Sequence, residues 1–219
     1  MPQFDFDASR ETMVESQIRT ADVTDLDLLS AFRRVPRERF VPASKMALAY
    51  GDAVVDYGDG RALLRPRDFA KLIQAADIQP HEIVLNIACA RGYSVAILAQ
   101  VADTVVGLET EDDAVDRATS LLTDIDVLNA AVVKGDLKRG APEHGPFDVI
   151  IVNGAVADVP EAWLGQLANG GRLVLIQKSG PIGRATILTK SGEAVGDRVV
   201  FDANAPFLPG FEPVKSFAL

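Results

Sequence analysis

Between residues 83 and 176, short apolar runs alternate with amphipathic segments, and few folds accept that pattern. The runs are Ile83-Val84-Leu85-Asn86-Ile87, Val105-Val106-Gly107-Leu108, Ala130 to Val133, Phe147 to Val152 and Arg172 to Ile176. Between them lie a helical segment from Gly92 to about Val101, a second from Asp112 to Leu122, and a third opened by Pro160 that carries Trp163, Leu164 and Leu167. Strands alternating with helices at this spacing build βαβ units, whose crossovers impose a parallel sheet. The fourth run is continuous in Val, Ile and Phe, as suits a strand covered on both faces. The expected class is α/β, with a doubly wound, mostly parallel sheet.

The flanks differ. Ser9 to Thr20 places Val14 and Ile18 four apart beside Met13 and Gln17, one helical stripe. A second helix is expected near Thr24, with Thr24 and Asp27 as a capping pair, Leu28, Phe32 and Val35 on its buried face, and Pro36 ending it. Gly51, Gly58, Gly60 and Pro66 punctuate residues 50–66, which read as loop. A helix from Pro66 follows, with Phe69, Leu72, Ile73 and Ala76 as its stripe. Beyond the parallel core, Ala185 to Thr189 and Val195 to Phe201 flank Lys190-Ser191-Gly192-Glu193, an antiparallel hairpin at one sheet edge. Val214 to Leu219 is expected to add a last short strand. The domain reading is one unit over 1–219, with residues 1–66 as a helical N-terminal extension and 67–219 as the α/β core.

Charge and cysteine usage exclude several function classes. The formal net charge of −9 argues against a general nucleic-acid partner, which would show a basic surface. Arg33, Arg34, Arg37 and Arg39 read as the solvated end of a helix rather than a binding patch. The single cysteine, Cys89, excludes an intramolecular disulfide and fits a reducing compartment, so the cytoplasm is expected. No apolar run approaches the ~18 residues of a membrane span, and no secretory signal is visible. No spacing suggests a metal site, a Ser nucleophile elbow or a phosphate-binding Gly-Lys loop. His81 and His144 read as surface loop residues.

In a doubly wound sheet, ligands bind beyond the carboxyl ends of the strands at the switch point. That rule selects Asn86 to Tyr93, Glu109 to Glu111, Gly135 to Leu137 and Asn153 to Ala155. Glu109 follows the second core strand, where a carboxylate can accept both hydroxyls of a ribose; the other reading is one more acid opening a helix, beside Glu111, Asp112 and Asp113. Asp136 can accept from an exocyclic adenine amine or from its own backbone in a turn. The loop after the first core strand, Asn86-Ile87-Ala88-Cys89-Ala90-Arg91-Gly92-Tyr93, keeps only Gly92 where glycines are usual. Cys89 reads as a small buried apolar residue rather than a nucleophile.

Several segments together resemble the protein-L-isoaspartate O-methyltransferase family, class I S-adenosylmethionine-dependent enzymes with a Rossmann-like core. They are Met13-Val14-Glu15-Ser16-Gln17-Ile18-Arg19, then Val35-Pro36-Arg37-Glu38-Arg39-Phe40-Val41-Pro42 against the family's "VPRHxFVP", and Ala49-Tyr50-Gly51-Asp52. Gly92-Tyr93-Ser94 matches the end of the "GTGSGY" loop, Pro146 to Val152 the fourth strand, and Gly170-Gly171-Arg172-Leu173-Val174 the fifth. The resemblance implies methyl transfer from S-adenosylmethionine to the free carboxylate of an isoaspartyl residue in damaged protein. It places the cofactor against Asn86, Ala88, Ala90, Gly92, Tyr93, Glu109, Asp136 and Asn153.

At the family's acidic and glycine loop positions this chain has Asn86, Ala88 and Ala90. If the alanines adopt positive φ they are strained, and their methyls point toward the methionine part of the cofactor. The family's substrate segment "GQTISQP" is here Gly60-Arg61-Ala62-Leu63-Leu64-Arg65-Pro66. Ala62 and Leu64 replace its hydroxyls, while Arg61 or Arg65 could hold a carboxylate bidentately or remain solvated. Three readings follow: an active methyltransferase, a silent relative that binds or regulates with Leu64, Ala88 and Arg91 filling the pocket, or a pocket turned to an anionic nucleotide facing Arg91.

Overall fold

The computed structural model describes residues 5–58 and 60–214. Asp5 caps α1 (Phe6–Met13), its carboxylate accepting from Ala8 N at 2.9 Å. The helix therefore starts ahead of Ser9, the expected first residue. It continues as a π turn over Val14–Ile18 and a tighter turn over Arg19–Ala21, and ends where Asp22 turns left-handed at φ 66. Met13, Val14 and Ile18 are buried along the expected stripe. In α2 (Leu26–Arg34) the cap is Asp25, which accepts from Asp27 N and Leu28 N at 2.9 and 3.0 Å. Thr24 cannot cap because it precedes the cap position, and its own N–H donates to Gln74 Oε1 at 2.7 Å.

The basic cluster after α2 is not uniformly solvated. Arg33 pairs with Glu11 at 3.1 Å, but Arg37 is wholly buried. Arg37 donates from Nε to Ala49 O at 2.7 Å and from Nη2 to Leu64 O at 2.6 Å, and it lies 4.8 Å from the Tyr93 ring centre. A planar, permanently charged fork can satisfy two loop carbonyls and stack on a ring at once, which a solvated end does not require.

Residues 50–66 contain a hairpin rather than only loop. β1 (Val55–Gly58) and β2 (Arg61–Leu63) pair antiparallel, with Val55 opposite Leu63 and Asp56 opposite Ala62. Its turn uses Gly58 at φ +86 and Gly60 at φ +67. α3 (Pro66–Ala76) follows as expected, with Phe69, Leu72, Ile73 and Ala76 buried.

The main sheet runs β5 (Ala130–Lys134), β4 (Thr104–Glu109), β3 (Ile83–Ile87), β6 (Phe147–Val156), β7 (Leu167–Gln177), β8 (Gly183–Ser191), β9 (Ala194–Ala203). The first five strands are parallel, and β8 and β9 add antiparallel at one edge. Side chains alternate across the pleat. Val84, Val105, Val149, Ile151 and Val174 therefore join the core under α1 to α3 and α4 (Tyr93–Leu98), while Leu85, Val106, Ile150, Val152 and Leu175 pack on the opposite face with Trp163. Each such fully buried aliphatic or aromatic side chain contributes roughly 1.5–3 kcal/mol.

α5 (Asp112–Thr123) and α6 (Glu161–Gly165) complete the crossovers. α4 is shorter than expected, and Leu167 belongs to β7 instead of α6. Asn153 to Ala155 lie inside β6, which continues past a register irregularity between Ile151 and Ala155. Val214 is outside any strand, and residues 215–219 of the expected last strand lie outside the described residues.

Arg172 locks the base of the sheet. Its Nη1 and Nη2 reach Glu82 Oε1 and Oε2 at 2.6 and 2.9 Å, and its Nε donates to Ala76 O at 2.9 Å. Burial alone would raise the Glu82 carboxyl, but the Arg172 hydrogen bonds and the Gln79 N–H outweigh it and hold the group below its usual range.

Candidate functional site

Strand order reverses at β3, which has β4 on one side and β6 on the other, and the chain leaving β3 there forms a left-handed cradle. Ala88, Ala90 and Gly92 have φ of 59, 54 and 90. A residue with a Cβ in this region costs about 1–2 kcal/mol. Ala88 is buried in the apolar cluster that also holds Leu85 and Ile87, and it does not line the cavity described below. Ala90 lines the cavity described below. Gly92 packs where an added Cβ would meet Leu122 at 3.4 Å and Ala118 at 3.5 Å.

Asn86 and Asn153 do not face that cavity. Asn86 Nδ2 donates to Ile151 O at 3.2 Å and its Oδ1 accepts from Ser94 Oγ at 2.6 Å, while Asn153 Nδ2 donates to the same Oγ at 2.8 Å. The result is a buried polar bridge joining β3, α4 and β6. Tyr93 is enclosed by Phe32, Phe40, Phe69 and Arg37, and burial raises its hydroxyl above the usual range against the opposing charge of Arg37.

A cavity of about 730 Å³ opens beside Ala90, Glu109 and Asp136, within the size range of small-molecule sites. Glu109 is only 2% exposed and is fully engaged. Its Oε1 accepts from Ala90 N at 2.7 Å and Arg61 Nε at 2.9 Å; its Oε2 accepts from Arg61 Nη2 at 2.9 Å and Thr110 N at 3.1 Å. Arg61 therefore reaches from the β1–β2 hairpin across to the end of β4. Asp136 lines the cavity and also accepts from Lys138 N at 2.8 Å, which is the expected turn chemistry.

Arg91 lines the same wall beside Arg117, its buried Nε without a hydrogen-bond partner. Burial and then Arg117 lower its pKa. Burial, and then the Glu109 carboxylate, push the Cys89 thiol well above its usual value, which leaves it unreactive.

The substrate-loop positions divide. Arg61 alone of them faces the cavity. Ala62 is buried, and Leu64 is part of the main core beneath Arg37. Arg65 lies 3.5 Å from Asp52, outside the cavity.

Sequence reasoning missed the far wall. Residues 206–211 form a strap over the end of β6: Ala155 N donates to Pro206 O, Leu208 N to Ala155 O, and Ala157 N to Phe211 O, at 2.8–2.9 Å. Pro209 and Phe211 thereby line the cavity, and Phe211 stacks on Trp163 at 5.5 Å. Gly154 makes this approach possible, since a Cβ there would lie 2.6 Å from Leu208 Cδ2. No motif marks the strap. Tyr57 was also missed, although the Asp59-Gly60 pair after an apolar run is a recognisable hairpin signal. Among the described residues no group of three or more His, Cys, Asp or Glu could hold a metal ion, and no helix is long and apolar enough to cross a membrane.

The model of the protein-L-isoaspartate(D-aspartate) O-methyltransferase family matches residues 8–196. The chain belongs to this family. A Methanoculleus marisnigri protein-L-isoaspartate O-methyltransferase is 38% identical over 165 residues, 75% of each chain. A solved protein-L-isoaspartate O-methyltransferase superposes with a TM-score of 0.81 at 25% identity, over 93% of this chain and 67% of its own. A Plasmodium falciparum structure described as a beta-aspartate methyltransferase, in complex with S-adenosyl-L-homocysteine, covers 94% of this chain and 99% of its own at a TM-score of 0.74, and at 17% identity shares the fold. The family is one of S-adenosylmethionine-dependent methyltransferases, and the α/β architecture with its antiparallel edge is the family's fold.

Proposed function

We propose that this chain transfers a methyl group from S-adenosylmethionine to a carboxylate, that of an isoaspartyl residue in damaged protein. The observation that carries the reading is the left-handed cradle at Ala88, Ala90 and Gly92, retained where two of three residues are strained by it, with the Ala90 N–H directed onto Glu109. A positive φ costs stability at a residue with a Cβ, so its presence at two successive alternate positions beside the cavity points to a ligand-binding geometry.

In this reading Glu109 receives the ribose hydroxyls, Asp136 the adenine amine, and the backbone of 88–92 the methionine part. The donor supplies a methyl already activated on a sulfonium. A carboxylate ionised at neutral pH needs no base to attack it, so the protein's task is positioning and exclusion of water. The hairpin of residues 55–63 stands on the acceptor side. The buried, single Cys89 supports a reducing compartment, the cytoplasm.

One observation favours a second reading, a silent binding or regulatory relative that has lost cofactor binding: Glu109 is saturated by the protein's own Arg61, and Leu64 lies in the core. Calorimetric titration with S-adenosylmethionine and S-adenosylhomocysteine, beside Glu109→Ala, tests both. Saturable micromolar binding weakened in the variant, followed by esterification of an isoaspartyl peptide, supports the enzyme. Binding without esterification refutes transfer to the isoaspartyl carboxylate and leaves the methyl donor's site in place. Absence of heat and of thermal shift at millimolar ligand refutes the methyl-donor reading.

A further inference from the structure

Glu109 cannot serve Arg61 and a ribose together. An ionised carboxylate offers about four lone-pair sites, and Ala90 N, Thr110 N and the two Arg61 nitrogens already fill them. A vicinal diol arriving at Glu109 must displace the guanidinium, because the two backbone donors are fixed by the cradle and by the end of β4. The displaced group cannot go far. Arg61 is anchored in the hairpin by its pairing opposite Gly58. Gly60 beside it is pressed against Pro209, where a Cβ would come within 2.2 Å of the ring. The freed cation, 13% exposed in its present position, would remain at a cavity wall where the buried Arg91 Nε already lacks a hydrogen-bond partner, and would require a new anion.

The acceptor's chemistry supplies one. Arg61 lies one residue from Ala62 and three from Leu64, positions that carry no hydroxyl with which to hold a carboxylate. We propose that Arg61 is a two-position carboxylate receptor: it holds Glu109 in the free protein and moves to the acceptor's carboxylate once a ribose diol takes Glu109. The inference rests on the methyl-donor reading and deepens it. Binding then becomes ordered, since the acceptor's receptor is available only after the donor nucleoside is in place. Arg61 is a specificity-determining residue, because a planar fork selects a carboxylate over a neutral amide.

The test is calorimetry with S-adenosylhomocysteine on the full chain, wild type against Arg61→Gln and Arg61→Lys, followed by isoaspartyl-peptide binding with and without saturating S-adenosylhomocysteine. Circular dichroism verifies that each variant is folded, and the lysine variant retains a charge beside Glu109 if the glutamine variant does not fold. Removing the internal competitor should tighten S-adenosylhomocysteine binding by about tenfold. In the wild type, peptide affinity should rise by a similar factor when S-adenosylhomocysteine is bound, and Arg61→Gln should abolish that rise. Wild-type binding as tight as that of Arg61→Gln, or of the single-point Arg61→Lys where only that variant folds, overturns the displacement while leaving the methyl-donor reading intact. Tighter nucleoside binding with an unchanged peptide response overturns the second position of Arg61. No binding by any of the three proteins at millimolar ligand overturns both the methyl-donor reading and this inference.

Discussion

Replacing Ala90 by glycine separates what the fold asks of the cradle from what the cavity asks of it. Ala90 holds φ 54, a conformation that costs a residue with a Cβ about 1–2 kcal/mol. Glycine removes that cost, but it adds roughly 0.5–1 kcal/mol of chain entropy lost on folding and gives up about 0.8 kcal/mol of methyl burial. The balance lies within about 0.8 kcal/mol of zero, and for a chain of this size it should move Tm by no more than about 3 °C in either direction. Ligand binding should respond differently, because the methyl stands at the cavity wall next to the amide that meets Glu109. Its removal should tighten S-adenosylhomocysteine binding severalfold. Ala88→Gly is the matched comparison. That residue is buried and does not line the cavity, so the variant should change affinity less than Ala90→Gly does. Scanning calorimetry and ligand titration on both variants read the two effects. An Ala90→Gly protein that melts more than about 8 °C lower, or that binds no more tightly, would refute the assignment of strain and cavity wall to this residue.

Further outcomes follow from the packing. Glu82→Gln leaves Arg172 without its bidentate partner and should cost about 3 kcal/mol in denaturant unfolding. The folded-state pKa of Glu82 is lowered from the ordinary 4.5, so its contribution is present above that value and lost as pH falls through it toward the folded pKa; the variant should show a flatter loss of stability over that acid range. Cys89, buried and with its thiol shifted upward, should resist a thiol reagent in native buffer and label fully in guanidinium, and rapid native labelling would contradict its placement. Gly60→Ala places a Cβ 2.2 Å from Pro209 Cγ at φ +67; it should cost about 2 kcal/mol or more through strain and overpacking and speed limited proteolysis within residues 55–63.

What could be read in advance depended on how local the cause was. The short, continuous apolar runs at Val84-Leu85 and Val149 to Val152, buried on both faces, are a property of each strand by itself, so the sheet and its edge hairpin were legible from the pattern. The left-handed cradle was legible as a position, because the switch-point rule needs only strand order. The pairing of Arg61 with Glu109 was not, since it joins residues 48 apart through a hairpin hidden in a glycine-rich stretch. Asn86 and Asn153 were assigned to the cofactor by strand-end position, yet they face each other through Ser94, a contact that depends on how α4 seats against β6. Arg37 looked solvated because its sequence neighbours are charged; only the tertiary structure shows the two carbonyls it serves.

The strap over β6 has a consequence for biosynthesis. Glu109 and the cradle leave the ribosome with β3 and β4, but Pro209 and Phe211, which complete the cavity wall, are made roughly 100 residues later. At about 5–20 residues per second, the nascent pocket stays open on one side for roughly 5–20 s. The parallel sheet can thus mature from its centre outward while the capacity to enclose a ligand appears only once residues 206–211 have been made. A chain halted after β9 would retain the β3–β9 pairings and lack the enclosure.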